Sequence, residues 1–327
     1  MPNKKLINIP LVLRVLSFLL IFESIFMLSG LGFAIYFNES VWPLLLSAAF
    51  TGIVGCVIWL ITRKNDRKNI GKREGYLIVS LTWIIISLFG TLPFILSGTI
   101  SNFADAFFET MSGFTTTGAT ILTDIEALPK NILYWRAMTH WIGGMGIIVL
   151  TVAILPFLGI GGLQLMIAEM PGITPDKLHP RITETAKRFW AIYVIFTVTE
   201  VLLLWLGEMD FFESVCHSFA TMATGGFSTR NDSIAAFMPY SQYVIIVFMF
   251  FAGTNFTLHY FAMHRQFNKV RSNEEFRMYF WIIAIISVFI ALGLTIVDGL
   301  NIEMSFRDSI FTVVSILTTT GFVTADY

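Results

Sequence analysis

The segment FADAFFETMSGFTTTGAT, residues 103–120, leads an apolar run into a Thr/Gly turn, and this combination occurs three times in the chain. The other versions are FFESVCHSFATMATGGFST at 211–229 and DSIFTVVSILTTTGFVTADY at 308–327. Aligning the first and third on Gly118 and Gly321 gives one pattern, D-[AS]-[FI]-F-x3-S-x2-T-T-T-G, to which the looser middle version contributes Thr224-Gly225. A unit that repeats about every 100 residues therefore organises the sequence.

The composition is that of a membrane protein. Of the 327 residues, 55% are hydrophobic and 13% are charged, whereas about 25% of an average soluble domain is charged. Seven stretches are long and apolar enough to cross about 30 Å of hydrocarbon as helices. They are 12–37, 41–62, 76–98, 132–158, 187–206, 238–263 and 278–297. The sequence therefore predicts an all-α polytopic membrane protein.

The basic residues predict the orientation of these helices. Of the 21 Lys and Arg residues, all but four lie at the N-terminus or in alternate connections, at 63–73, 177–188 and 265–277. The four exceptions are Lys130, Arg136, Arg230 and Arg307. Because cytoplasmic connections are enriched in Lys and Arg, we expect a cytoplasmic N-terminus and a location in the cytoplasmic (inner) membrane.

The repeated motif lies in the connections that face outward. Each copy is an apolar helix of about 10 residues followed by a Thr/Gly turn. Such a helix is too short to span a bilayer, and irregular backbone at membrane depth survives only inside protein or beside a water-filled cavity. We therefore predict repeated helix–pore-loop–helix units, with about seven spanning helices and three re-entrant pore helices.

The residue types of the turn suit a dehydrated cation. Backbone carbonyls on an extended Thr/Gly strand can replace the hydration shell of the ion. Glycine permits backbone angles that other residues avoid, and the negative end of the preceding helix dipole favours a cation. One such motif would favour a plain polar turn, but three equivalent copies favour an ion path.

The motifs TTTGAT, ATGGFST and TTTGFVTADY, together with HWIGGMGI at 140–147, resemble those of the Trk/Ktr/HKT superfamily of potassium transporters. The helix order is most similar to its bacterial Trk branch, in which two extra helices precede four helix–loop–helix units around one pore. The resemblance implies two N-terminal helices and a basic loop at 1–74, a first unit at 75–160, a connector with the second unit at 161–270, and an incomplete third unit at 271–327. The fourth unit is absent, so we expect a C-terminally truncated form of a longer transporter.

The resemblance also implies which residues bind potassium. The filter carbonyls it assigns are those of Thr116, Thr117 and Gly118; Ala223, Thr224 and Gly225; and Thr319, Thr320 and Gly321. In the superfamily, a serine in place of the first-loop glycine accompanies sodium preference, so Gly118 favours potassium. The implied function is potassium uptake through a carbonyl-lined filter. A non-conducting membrane subunit or remnant and a sodium-permeable member of the superfamily are the alternatives.

Several partners follow from the same resemblance. It implies a cytoplasmic regulatory subunit that binds nucleotide, and 161–188 suits a helix lying against the inner leaflet. We expect a homodimer in the lipid bilayer, with potassium as the substrate and the only metal. We expect no cofactor and no nucleic-acid partner. The sequence contains neither a Walker motif nor H-E-x-x-H, so it predicts no enzymatic activity.

Two acids, Glu23 and Glu200, lie inside predicted spans, where ionisable groups are functional candidates. Glu200 is a candidate for pore lining or ion coupling, but the interpretation we favour for both acids is a hydrogen bond to a neighbouring helix. Asn255, within GTNF, suits pore lining and helix capping equally.

The motif HWIGGMGI has two alternative interpretations. Gly143, Gly144 and Gly146 permit close helix packing, which we favour, or bending of the helix below the filter. His140 and Trp141 are expected to anchor the outer membrane interface.

Overall fold

A computed structural model describes residues 7–63, 72–146, 182–297 and 299–325, and every regular element in these ranges is helical. The α-helices are α1 (Ile9–Ser29), α2 (Leu31–Tyr36), α3 (Trp42–Thr62), α4 (Lys72–Gly90), α5 (Leu92–Leu96), α6 (Phe103–Phe114), α7 (Lys130–Gly144), α8 (Ile182–Leu206), α9 (Phe211–Met222), α10 (Pro239–Ala252), α11 (Phe256–Met263), α12 (Phe267–Arg271), α13 (Glu274–Val297) and α14 (Ile302–Leu317). The prediction of an all-α membrane protein is confirmed.

Among the described residues, five helical segments are long and apolar enough to cross a membrane: Ile9–Tyr36, Trp42–Thr62, Arg73–Leu96, Lys187–Leu206 and Glu274–Val297. A sixth span forms if α10 and α11 are taken together, although they meet at 102°. The remaining predicted span, 132–158, begins in α7, and its part from 147 onward lies outside the described residues.

Side chains satisfy backbone groups at both helix ends that meet at the bend between α10 and α11. The side-chain oxygen of Asn255 accepts a hydrogen bond from the Thr257 N–H at 3.0 Å and begins α11. On the other side, a ring N–H of His259 donates to the Phe251 carbonyl at 2.8 Å. Because a broken helix frees backbone groups that need partners, these bonds account for the bend. Asn255 therefore caps a helix, and its role in pore lining stays a prediction.

The three predicted pore helices are α6, α9 and α14, of 12, 12 and 16 residues. Each begins with an Asn or Asp whose side chain accepts a hydrogen bond from the first turn. The bonds are Ala104 N–H to Asn102 (2.9 Å), Glu213 N–H to Asp210 (2.6 Å) and Glu303 N–H to Asn301 (3.2 Å). The cap is a further repeated feature of the unit.

Replacing the cap of α6 should weaken the protein slightly. We expect Asn102→Ala to cost about 1 kcal/mol and to lower the melting temperature in detergent by about 2 °C, because the Ala104 N–H loses its acceptor. Asn102→Asp retains an acceptor and should melt with the wild type. Equal losses in both variants would contradict the capping role.

The described residues divide into two compact units. The first takes its residues from 1–115, 129–135 and 145–187. Its core lies along α1, α3 and α4, where small residues permit close packing: a Cβ at Gly55 would lie 2.9 Å from the Ile21 side chain. The Trp135 indole N–H donates to the Gly90 carbonyl at 3.0 Å. Glu23 is buried in this unit and has no hydrogen-bond partner among the described residues, so the expected bond to a neighbouring helix is not found there.

The second unit comprises 116–128, 136–144 and 188–327, again only where described. Its core is a cluster of buried apolar side chains from α8, α9, α10, α13 and α14 and from the segments that follow the second and third Thr/Gly turns. Members include Leu204, Phe227, Ile245, Met249, Ile283, Phe311 and Phe322. All three Thr/Gly turns, from the residue after Thr115 onward, belong to this unit.

Candidate functional site

The three Thr/Gly loops have the same backbone conformation. We define them as the first loop (115–120), the second loop (223–229) and the third loop (318–323). In each loop a threonine and the second residue after it, a glycine, have positive φ. The pairs are Thr116 (53°) and Gly118 (75°), Thr224 (51°) and Gly226 (78°), and Thr319 (58°) and Gly321 (79°). Each glycine is the fourth residue after the end of its pore helix.

This conformation corrects the alignment of the second loop. The sequence comparison paired Gly225 with Gly118 and Gly321, whereas the backbone pairs Gly226 with them. Thr-Gly-Gly offers two glycines, and only the second has positive φ. Ala223 then becomes the residue that caps α9, as Thr115 caps α6. The corrected register is also supported by the pore helices, because Glu213 now matches Asp105 and Asp308, each thirteen residues before its glycine.

Backbone hydrogen bonds give the same register. The Gly225 N–H donates to the Ala220 carbonyl at 2.9 Å, and the Thr320 N–H donates to the Ser315 carbonyl at 2.8 Å. In both loops the acceptor lies five residues earlier, in the last turns of the pore helix. Gly225 therefore corresponds to Thr320, the residue before the positive-φ glycine.

Neighbouring loops touch through these glycines. A Cβ at Gly118 would overlap the carbonyl oxygen of Gly225, and a Cβ at Gly226 would overlap that of Thr320. In both cases the carbonyl belongs to the residue before the positive-φ glycine of the next loop. The described residues place nothing within 4 Å of a Cβ at Gly321. The first, second and third loops therefore contact one another in chain order.

The segments that leave the loops are joined in the same order. The Asn231 side chain accepts from the Ile125 N–H at 2.8 Å and donates to Asp124 at 3.3 Å. Farther along, the N–H groups of Ile234 and Ala235 both donate to the Val323 carbonyl, at 3.0 and 3.1 Å. These bonds fasten the loops to one another beyond the glycines.

The second loop is also fastened to its own pore helix. The Ser228 hydroxyl is 3.0 Å from Nε2 of His217 and accepts from the Arg230 N–H at 3.1 Å. The other ring nitrogen of His217 is 2.8 Å from the Glu213 carbonyl. Since a carbonyl can only accept, Nδ1 carries a proton, and in neutral His217 the Ser228 hydroxyl donates to Nε2. His217 therefore links α9 to the segment that leaves the second loop.

An ion pair closes the same segment. Nη2 of Arg230 lies 2.6 Å from Oε1 of Glu213, which is nearly buried, and Nη1 lies 3.3 Å from Glu126, which is exposed. Burial acts to lower the pKa of the Arg230 guanidinium, but its bonds to Glu213 and Glu126 outweigh this and raise that pKa above its ordinary value. Arg230 therefore remains a cation and holds both carboxylates.

Glu200 and Gly144 also lie in the second unit. Glu200 is fully buried, so its side chain faces protein, and its role in pore lining or coupling stays a prediction. A Cβ at Gly144 would lie 2.6 Å from the Ala223 Cα and 2.7 Å from the Tyr193 hydroxyl. The close-packing interpretation is confirmed for Gly144, which lies against the start of the second loop.

The expectation of an anchor at the membrane interface is wrong for His140. This side chain is 0% exposed and stacks on Phe227, with ring centroids 3.9 Å apart. Arg136 lies one turn earlier, with its guanidinium carbon 3.5 Å from the same centroid and Nη1 donating to the Ser228 carbonyl at 3.0 Å. The sequence identifies Arg136 only as one of the four basic residues in the outward-facing connections. Arg136 lies inside the predicted span 132–158, and an arginine buried there needs an acceptor. Its position within that span was the signal available in the sequence.

Comparison with known proteins matches residues 44–327 to the TrkH family, described as cation transport proteins. The Trk system potassium uptake protein TrkH of Escherichia coli K12 is 45% identical over 276 residues, which are 83% of this chain and 57% of that protein. Its counterpart from Halomonas elongata is 37% identical over 324 residues, 98% of this chain and 67% of that protein. The crystal structure of the potassium transporter TrkH from Vibrio parahaemolyticus is similar with a TM-score of 0.84 and 34% identity, covering 98% of this chain and 66% of that one. The chain thus spans about three fifths of the length of these relatives.

Proposed function

Because the chain belongs to the TrkH family of cation transport proteins, we propose that it forms part of a potassium uptake pathway across the cytoplasmic membrane. The family is one of transporters and not of enzymes. The proposal goes beyond the family in two respects: it names potassium as the cation and the three Thr/Gly loops as the place where the ion binds.

One observation carries the proposal. Three loops that follow three pore helices repeat a single backbone conformation and touch one another in chain order. Positive φ at alternate residues changes the direction in which successive carbonyls point, and a cation that has lost its water needs several such oxygens at once. Repeated loops supply equivalent oxygens from several directions, which one polar turn cannot do.

The proposed potassium ligands follow the corrected register. They are the carbonyls of Thr116, Thr117 and Gly118, of Thr224, Gly225 and Gly226, and of Thr319, Thr320 and Gly321. Gly226 thus replaces Ala223 in the set expected from the sequence. Ala223 caps α9 and packs against Gly144. The repeated conformation begins one residue later, at Thr224.

We further propose the orientation, assembly and partners that the sequence leads us to expect. The N-terminus lies in the cytoplasm, in agreement with the distribution of Lys and Arg. The protein acts as a homodimer, and a nucleotide-binding regulatory subunit contacts its cytoplasmic face. Glu200 and Asn255 are candidates for pore or coupling roles. Potassium is the transported ion, and no cofactor is assigned.

Potassium uptake can be tested in cells that lack their own uptake systems. The reading frame that contains this chain is expressed there, and growth at low potassium is measured together with uptake of rubidium and sodium ions. We expect growth and selective rubidium uptake. Gly118→Ser should lower that uptake by about tenfold or more, since its side chain would overlap the Gly225 carbonyl.

The matched control is Gly293→Ala, because Gly293 lies in α13 with nothing within 4 Å of a Cβ. Membrane insertion of every variant is checked by surface labelling. No rubidium uptake by the inserted wild-type protein would support a non-conducting subunit and overturn the proposal. Equal uptake of sodium and rubidium would overturn the assignment of potassium.

A further inference from the structure

The second loop differs from the other two at one position. The residue before the positive-φ glycine is Thr117 in the first loop, Thr320 in the third and Gly225 in the second. The Thr320 side chain is buried, and its hydroxyl lies 2.7 Å from that of Thr318. Gly225 is buried as well but offers no side chain of its own. A group from elsewhere must therefore fill the space beside it.

The imidazole of His140 fills that space. A Cβ at Gly225 would lie 2.6 Å from Cγ and Nδ1 of His140 and 2.7 Å from its Cε1. All three atoms belong to the rigid ring, so the contact is with a flat face or edge and not with the end of a flexible side chain. His140, from α7, thus stands where a threonine side chain would begin.

The His140 ring is held in place by its neighbours. The Arg136 guanidinium and the His140 ring lie within 4 Å of the same Phe227 centroid. Two planar groups so close to one centroid would collide if they shared a face, so the Phe227 ring lies between them. Arg136 is further fixed by its hydrogen bond to the Ser228 carbonyl. Phe227 and Ser228 follow Gly226, so this stack joins α7 to the second loop directly after its glycines.

From these contacts we propose that His140 is a positioning residue of the potassium pathway. Its ring substitutes for a loop side chain at Gly225 and fixes the Gly225 carbonyl, which is also the atom that Gly118 of the first loop touches. This inference rests on the proposed function, because it is the proposed function that gives the second loop a role in ion selection. Its chemical content is steric: the ring and a methyl group at residue 225 cannot occupy the same space.

Reciprocal substitution tests this directly. Gly225→Ala should lower rubidium uptake by about tenfold, because the added methyl meets the held ring. His140→Ala should lower rubidium uptake by less than Gly225→Ala does and reduce the preference for rubidium over sodium by a few-fold, since the loop loses its support. The double variant should transport several times faster than Gly225→Ala, because the methyl then enters the space left by the ring. His264→Ala, at an exposed histidine, and Gly293→Ala are the matched controls.

The melting temperature in detergent is measured for the wild type, the two single variants and the double variant, so that the contact is tested even if transport fails. If the His140 ring and the added methyl compete for one space, the double variant should melt higher than the sum of the two single-variant losses predicts. Additive losses in melting temperature and in uptake would overturn the proposal. Absence of rubidium uptake in the wild type, with coupled melting temperatures, would instead contradict the proposed function and leave the His140 contact established.

Discussion

Gly226→Ala is expected to abolish selective potassium uptake, with a loss of about 100-fold or more. Two costs combine at this position. Its φ of 78° suits glycine and strains any residue with a Cβ. The added methyl would also overlap the carbonyl oxygen of Thr320 in the third loop, and backbone cannot move aside as a flexible side chain can. The variant must therefore displace one of the proposed ligand carbonyls.

The measurement compares rubidium uptake by Gly226→Ala with that by Gly225→Ala, each with and without His140→Ala. Because the obstacle at residue 226 is the Thr320 carbonyl, removing the His140 ring should not restore Gly226→Ala. The same removal should restore Gly225→Ala. If Gly226→Ala transported normally, the corrected register of the second loop would be wrong.

The sequence predicted the repeated units and the three pore helices because these depend on local pattern. A short apolar run, a Thr/Gly turn and the alternation of basic connections are all visible without contacts. The positions of α6, α9 and α14 within these connections are as expected. Apolar patterning and length were sufficient for this part of the fold.

The register of the second loop was not predictable in the same way. Thr224-Gly225-Gly226 contains two glycines, and the choice between them depends on which one faces the Thr320 carbonyl, about 95 residues later in the chain. A clue was available in the pore helices, where Glu213 aligns with Asp105 and Asp308 only in the corrected register. An alignment fixed on the glycine motif alone passed over that acid.

The contacts of α7 were missed for a related reason. His140 near the end of an apolar helix is compatible with an interface anchor, and only the packing shows that it meets Gly225 and Phe227. The break after Ala252 was hidden as well, because residues 238–263 remain apolar through it. Hydropathy records how apolar a segment is, and it carries no information on which partner the segment meets.

Arg230→Met is expected to lower the free energy of unfolding by about 1–3 kcal/mol. Removing the guanidinium leaves the Glu213 carboxylate, 8% exposed, without its closest cation. The estimate lies below that for a fully buried pair because the Arg230 side chain is 39% exposed. Glu126→Gln should cost far less, because Glu126 is 44% exposed and its distance to Arg230 is longer.

The decisive comparison is with the double variant Arg230→Met/Glu213→Gln. If the loss arises from an unpaired charge, neutralising Glu213 should restore part of the melting temperature that Arg230→Met removes. A double variant no more stable than Arg230→Met would mean that Arg230 stabilises the second loop through packing of its side chain and not through its charge.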